Sequence, residues 1–278
     1  MHPVLFEIGG MRIPTYGTLL AIAFVSAIFV FAYLMTRTGV PFGKMVDFGF
    51  AIAISGEVGA RLTYLIVEFD RFAAGTIDWK HFLVAGRVVL GGVAAAFIAS
   101  FYWVRKVKRE HGTTHAQLAD AGFTGTSLGM AIGRLGCFMN GCCHGTPTDW
   151  SWGVVFTDPH AHEFAGTPLH TALHPTQLLQ TLTGLTVLAV CWWATTRSRY
   201  SGIATGLFWV IVGTSRFFME YLRGDDRGEW LFGFTTSQWI SLVGVGIGLA
   251  WLYYAQNRLR LPSPWTNDAA RARLRHAS

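Results

Sequence analysis

Charge is scarce in this chain. Asp, Glu, Lys and Arg make up 14% of its 278 residues, against about 25% in a soluble domain. Apolar residues make up 51% and the mean hydropathy is +0.37. That balance excludes intrinsic disorder, which needs low hydrophobicity and high charge, and it excludes an ordinary soluble enzyme. Cysteine is scarce too: four residues are too few for a disulfide framework. Residues 1–16 lack a basic n-region and a following cleavage site, so the first apolar run is expected to stay as a membrane span. No internal repeat is visible. The net charge of +6 does not indicate nucleic acid, because the basic residues fall between apolar runs and form no single face. Trp is abundant, with 11 residues, as suits indoles at a membrane interface.

The composition predicts an all-α, polytopic membrane protein. Seven stretches have the length and apolarity of membrane helices: roughly 17–36, 46–67, 88–104, 117–138, 176–196, 202–221 and 237–256. The first, third, fifth and seventh are the most uniformly apolar. The second, fourth and sixth carry charges and small residues, which predicts buried, functional helices. Basic residues mark alternate connections: Arg37 and Lys44, then Arg105, Lys106, Lys108 and Arg109, then Arg197 and Arg199, then Arg258 to Arg275 in the C-terminal tail. Residues 141–175 contain no Lys or Arg, and in 224–236 Arg227 is outnumbered by Asp225, Asp226 and Glu229. The positive-inside rule therefore predicts an outer N-terminus and a cytoplasmic C-terminus. Two parts are expected: a seven-span domain over 1–261, with an outer cap at 141–175, and a polar, partly helical, mobile tail over 262–278.

This orientation gathers the intramembrane polar residues at one depth. The second, fourth and sixth spans run outward, so Glu57, Arg61 and Tyr64, then Arg134 and Asn140, then Arg216, Glu220 and Arg223 approach the outer surface. Tyr16, His174, Gln177 and Gln238 stand near the outer starts of the first, fifth and seventh spans. Charges inside a span cost about 2.5–3.5 kcal/mol each at the helix centre, so they are functional candidates by default. Glu57 with Arg61, and Arg216 with Glu220, have the four-residue spacing of ion pairs on one helix face. Ion pairing that fixes helix packing is the competing reading of each. Arg61, Arg134 and Arg216 against Glu57 and Glu220 leave one positive charge over. A guanidinium fork suits phosphate oxygens, which predicts a site for an anionic lipid phosphate, open to the outside.

The run from Gly133 to Gly141 places Arg134 and Asn140 between glycines. Glycine admits close approach of a helix or a ligand, and both readings are open. Cys137, Cys142, Cys143 and His144 raise a metal, with His160, His162, His170 and His174 as further ligands. The spacing is not that of a common zinc finger and adjacent cysteines rarely serve one metal, so no metal is expected. Buried thiols, a disulfide and a nucleophilic cysteine stay open. His174 precedes Pro175 at a helix start and is either a general acid or base or a hydrogen-bonded structural residue.

Together these residues resemble the prolipoprotein diacylglyceryl transferase family over about residues 3–256. Tyr16-Gly17 and Gly59-Ala60-Arg61-Leu62-Thr63-Tyr64 are similar to family motifs of the first two spans. Gly133 to Gly145 is similar to its signature Gly-Arg-x-Gly-Asn-Phe-x-Asn-Gly-Glu-x-x-Gly. His174-Pro175-Thr176-Gln177-Leu178, Arg216 to Arg223 and Ser237-Gln238 are similar to its later motifs. The resemblance implies transfer of the diacylglyceryl group of phosphatidylglycerol to the lipobox cysteine thiol of a prolipoprotein, with release of glycerol phosphate. It implies a bacterial inner-membrane location, an active site facing the outer leaflet, a prolipoprotein signal peptide and membrane lipids as partners, and no cofactor. Arg134 and Arg216 would hold the phosphate, Arg61 would support them and Glu220 would orient the arginine on its own helix. His174 is a candidate proton carrier. Tyr16, Tyr64, Asn140, Gly141, Gln177, Arg223 and Gln238 would line the substrate.

The chain departs from the family in four places. Leu90 stands where the family carries a histidine before Gly91-Gly92. Cys137 and Cys142 replace the signature Asn and Glu, and Gln180 replaces a Glu. Leucine moves no proton, so thiol activation falls to another group: His174, His144, a cysteine, or the acceptor's own ionisation beside arginines. Two alternatives stand beside transfer to a lipoprotein: the same donor with a different acceptor, and a non-catalytic lipid-binding membrane protein. A transporter is disfavoured, because repeated halves and paired broken helices are missing.

Overall fold

The computed structural model describes residues 3–9, 11–76, 88–224 and 232–266. A short hairpin, β1 (Val4–Ile8) and β2 (Met11–Pro14), leads into α1 (Thr15–Thr36). Then come α2 (Phe42–Val67), a short α3 (Phe69–Ala73), α4 (Val89–His111) and α5 (His115–Asn140). Residues 141–175 hold β3 (Val154–Val155), α6 (Pro159–Ala165) and β4 (Ala172–Leu173). Next are α7 (Thr176–Arg197), α8 (Ile203–Met219) with a 3₁₀ turn at Glu220–Leu222, and α9 (Thr236–Tyr254) running into a π turn at Ala255–Leu259.

Among the described residues, seven long helices overlap the seven apolar stretches read from the sequence. Four of them, α1, α2, α7 and α9 with its π turn, are long and apolar enough to cross a membrane. The second stretch is among the four despite its charges. The third, expected among the most apolar, is not: the apolar part of α4 is cut short by Arg105, Lys106, Lys108 and Arg109. Ile54, Leu62 and Ile66 on α2, Phe97 and Ile98 on α4 and Ile240 and Val243 on α9 are exposed. In water such apolar faces would be costly. In lipid they are ordinary, so this is an α-helical membrane protein.

The chain divides into two compact units, Phe31–Leu118 and Met1–Val30 with Ala119–Ser278. In the first, α2 and α4 meet backbone to backbone. A Cβ on Gly59 would come within 2.7 Å of Gly91 O, and one on Gly92 within 2.8 Å of Gly56 O. Without a hydrophobic drive between helices in lipid, such close contact through small residues supplies the association. Phe48 packs between Phe31 and Trp103. Arg61 Nε sits 2.7 Å from Glu57 Oε1, the pairing expected from the spacing. Tyr64 is half-buried on the same helix. Leu90 is exposed in the first turn of α4.

In the other unit α8 and α9 pack through Gly206, Gly213 and Gly248, where added Cβ atoms would meet Leu252, Ser241 O and Gly206 O at 2.5–2.9 Å. Val187, Cys191, Ala194, Ala204 and Phe208 form the core between α7 and α8. Asp120, buried in α5, caps α8 from outside it. Its carboxylate accepts from Gly202 N (2.6 Å), Thr205 N (2.8 Å) and Thr205 Oγ1 (2.7 Å). A carboxylate suits the free N–H groups and positive dipole end of a helix start. Residues 262–266, expected within a mobile tail, pack instead: Ser263 N donates to Arg199 O, and Trp265 is buried. The expected tail beyond, 267–278, and Asp225, Asp226, Arg227 and Glu229 lie outside the described residues.

Candidate functional site

The site is built where α5 ends. Asn140 is its last, buried residue. Gly141 follows at φ 75°, in the left-handed region that glycine enters without a Cβ penalty. Gly141 N donates to Phe138 O and Cys142 N donates to Cys137 O, the paired bonds of a Schellman closure. This closure folds the chain back onto the helix end, so Cys142 returns to Cys137. Cys143 also takes a left-handed conformation, at φ 61°. The sulfurs of Cys137, Cys142 and Cys143 all lie within 4.8 Å of one another.

The cysteine loop is clamped at its carbonyls. Thr176 Oγ1 donates to Cys143 O (2.7 Å), Gln177 Nε2 to Cys142 O (2.8 Å) and Thr167 Oγ1 to Gly141 O (2.6 Å). Gln177 therefore positions the loop, and its Oε1 is buried without a hydrogen-bond partner among the described residues. The Gln180 amide nitrogen is in the same state. Of these clamps the sequence singled out Gln177 as a site residue and carried Thr176 only within the His174–Leu178 motif; Thr167 carried no signal beyond its polarity.

Beyond the cysteines three segments weave together. Gly145 N donates to His174 O, His174 N to Thr146 O, Thr146 N to Leu222 O and Gly224 N to His144 O. Gly145 sits at the crossing, where a Cβ would lie 2.5 Å from His174 Cβ and 2.7 Å from Leu222 O. This weave brings His144, His174 and Arg223 together from three distant parts of the chain. His174 is buried, packs edge-on to Trp150 at 5.2 Å and keeps Nδ1 without a hydrogen-bond partner among the described residues. His144 Nδ1 is engaged with Gly145 O. His162 turns to Thr167 O instead.

Two guanidinium groups flank the sulfurs. Arg223 reaches Cys143, and Arg134 acts on Cys137 and on the Tyr16 hydroxyl from the last turns of α5. The hydrogen bonds of the Cys137 and Cys142 thiols hold the Cys143 thiol well below the usual range, and Arg223 adds to this. Cys142 is pushed up, because its bonds to the neighbouring sulfurs keep its proton. The Tyr16 ring lies against Gly136, 3.2 Å from where a Cβ would be. Arg216 Nη2 pairs with Glu220 Oε2 at 2.8 Å, as the spacing implied. Thr235 Oγ1 holds the other carboxylate oxygen at 2.8 Å, a contact the sequence did not suggest. Gln238 is buried and closes a capping box with Thr235 at the start of α9. Arg61 and Tyr64 belong to the other compact unit.

Residues 3–254 match the family model described as prolipoprotein diacylglyceryl transferase. The phosphatidylglycerol–prolipoprotein diacylglyceryl transferase of Clostridium tetani is 30% identical over 249 residues, covering 90% of this chain and 96% of its own. That of Dechloromonas aromatica is 30% identical over 270 residues, covering 93% and 97%. The phosphatidylglycerol–prolipoprotein diacylglyceryl transferase 2 of Clostridium perfringens is 27% identical over 264 residues, covering 94% and 97%. Matched over nearly its whole length, the chain belongs to the prolipoprotein diacylglyceryl transferase family.

Proposed function

We propose that this protein moves the diacylglyceryl group of phosphatidylglycerol to the lipobox cysteine thiol of a prolipoprotein and releases glycerol phosphate. The observation that carries the reading is the pair Arg134 and Arg223 flanking the end of α5, with Arg216 held by Glu220 nearby in sequence. The reaction is attack of a thiolate sulfur on a glyceryl carbon. A new C–S bond forms, the C–O bond to phosphate breaks, and its electron pair leaves with glycerol phosphate.

Two demands follow. The leaving phosphate needs fixed positive charge, because stabilising charge where it develops is the largest catalytic term in such sites. Arg134 and Arg216 supply it, with Arg223 completing the cradle. Glu220, itself held by Thr235, fixes the Arg216 fork in one orientation. The acceptor thiol must also lose its proton. His174 takes it in this reading: its Nδ1 is buried and without a partner among the described residues. Tyr16, Asn140, Gly141, Gln177 and Gln238 line or shape the lipid site.

The seven long helices cross the bacterial inner membrane in this reading, with the N-terminus outside and the C-terminus in the cytoplasm. The alternation of basic connections supports that orientation. It opens the end of α5 and the folded segment 141–175 to the outer leaflet, where phosphatidylglycerol and the signal peptide meet. The test is intact-mass analysis of a lipobox peptide incubated with phosphatidylglycerol and the purified protein. A diacylglyceryl adduct on the peptide cysteine, lost with Arg134→Ala, is expected. Phosphatidylglycerol retained in native spectra with no adduct would point to the same donor with another acceptor, or to lipid binding alone.

A further inference from the structure

We infer that Cys137, Cys142 and Cys143 form a three-sulfur site for a thiophilic cation of the zinc class, with a fourth coordination position left open. Adjacent cysteines ordinarily point to opposite sides of an extended chain. Here the backbone removes that obstacle. The Schellman closure returns Cys142 to Cys137, and the left-handed conformation of Cys143 turns the second of the adjacent pair to the same side. Such a conformation is uncommon for a residue other than glycine and costs on the order of 1–3 kcal/mol, so it persists where the surroundings impose it. The Thr176 and Gln177 clamps on the two cysteine carbonyls impose it here.

The sulfur spacing fits. A metal–sulfur bond of about 2.3 Å places sulfurs about 3.8–4.0 Å apart in tetrahedral or trigonal geometry. All three sulfurs lie within 4.8 Å of one another. Three thiolates around a dication carry one net negative charge, and Arg223 beside Cys143 offsets it. Soft sulfur donors select soft cations over magnesium or calcium. Among the described residues no His, Asp or Glu joins the cluster. His144, the nearest in sequence, has Nδ1 engaged with a backbone carbonyl. Three protein ligands and a vacant fourth position are the arrangement of catalytic rather than structural zinc.

A thiol fills that position well, and a coordinated thiol is deprotonated outright. On the transfer reading, on which this consequence rests, the acceptor cysteine binds there. A cation held by Cys137, Cys142 and Cys143 would lower the acceptor thiol's hold on its proton, which would pass to His174 as in the transfer reading. The bond changes would be those of the transfer itself, C–S formed and C–O broken toward phosphate, with the three protein sulfurs unchanged. Leu90, where the family carries a histidine, is then no defect.

The test uses the full chain in detergent, reduced, stripped with chelator and titrated with Co(II) without oxygen. One equivalent per chain, with sulfur-to-cobalt absorption in the near ultraviolet and displacement by Zn(II), is expected. Cys142→Ser and Cys143→Ser should each weaken binding at least tenfold, while Cys191→Ala leaves it unchanged. Circular dichroism confirms that each variant is folded. A lipobox peptide should shift the cobalt d–d bands, and its Cys→Ser version should not. Absence of stoichiometric Co(II) binding by the reduced protein overturns the site, as does a disulfide among the three that re-forms in preference to metal. Co(II) bands indifferent to the peptide overturn the open position. Native mass spectra for phosphatidylglycerol report on the transfer reading separately: cobalt bound without lipid would leave the site standing and remove the transfer.

Discussion

Arg216 and Glu220 face each other one turn apart, Nη2 to Oε2 at 2.8 Å, and Thr235 Oγ1 holds the carboxylate from the other side at the same distance. The Glu220 side chain is only 5% exposed and Arg216 22%. A pair this buried is costly to break, since the partner left behind is an uncompensated charge worth roughly 3–5 kcal/mol. Glu220→Ala should lower the thermal midpoint and abolish peptide adduct formation. Thr235→Val removes both the bond to the Glu220 carboxylate and the N-cap of α9, so it should reduce turnover and cost about 2–4 kcal/mol of stability. Turnover and thermal unfolding of both variants in one detergent check this.

Two glycines of the same motif should separate packing from ligand approach. A Cβ on Gly133 meets nothing within 4 Å, whereas one on Gly145 runs into His174 and Leu222 O. Gly133→Ala should leave stability unchanged or raise it by about 0.5–1 kcal/mol, as alanine does inside a helix. Lost activity without lost stability would mark Gly133 as a place where lipid approaches the backbone. Gly145→Ala should destabilise by about 1–3 kcal/mol through forced backbone shifts.

Cys143 should react as a thiolate at neutral pH in metal-stripped protein, because its neighbours' hydrogen bonds and Arg223 hold its pKa low. An ordinary thiol gains reactivity about tenfold per pH unit below about 8.5. Iodoacetamide labelling of Cys143 should instead be flat between about pH 6 and 8, while Cys142, pushed up, stays slow. Cys137→Ala and Cys142→Ala, which remove the larger cause, should each move Cys143 toward a rising pH profile, and Arg223→Ala should do so to a smaller extent. Peptide mapping after timed labelling reads all three sites.

Asp120 should matter for folding and not for chemistry. Its carboxylate satisfies Gly202 N and both donors of Thr205 at the start of α8. Asp120→Ala leaves those buried donors unpaired and should cost about 2–4 kcal/mol. Activity per folded molecule should be retained. A specific-activity loss larger than the folded fraction explains would contradict this.

The helices were legible because lipid imposes a length and an apolarity on anything that crosses it, and Gly141 announced the end of α5. Both ion pairs, Glu57 with Arg61 and Arg216 with Glu220, were legible because four residues is one helical turn. The partner Thr235 was not, since it comes from another helix 15 residues on and is one threonine among many. Asp120 escaped for the same reason: its donors lie 82 and 85 residues away.

The cysteines show the division most plainly. Sequence alone determined that three thiols fall within seven residues after an arginine in a glycine-rich helix end. Read along the chain, their spacing spoke against a shared metal, because it is not that of a zinc finger and adjacent cysteines rarely serve one ion. Only the tertiary structure brings the three sulfurs together. Local backbone geometry, a Schellman return and one left-handed residue, reverses the direction of the chain. Side chains from α7 and from residue 167 hold that reversal in place. Periodicity encodes which face of an element a residue takes. Where two elements meet, and what lies between them, is set by packing over long sequence distances.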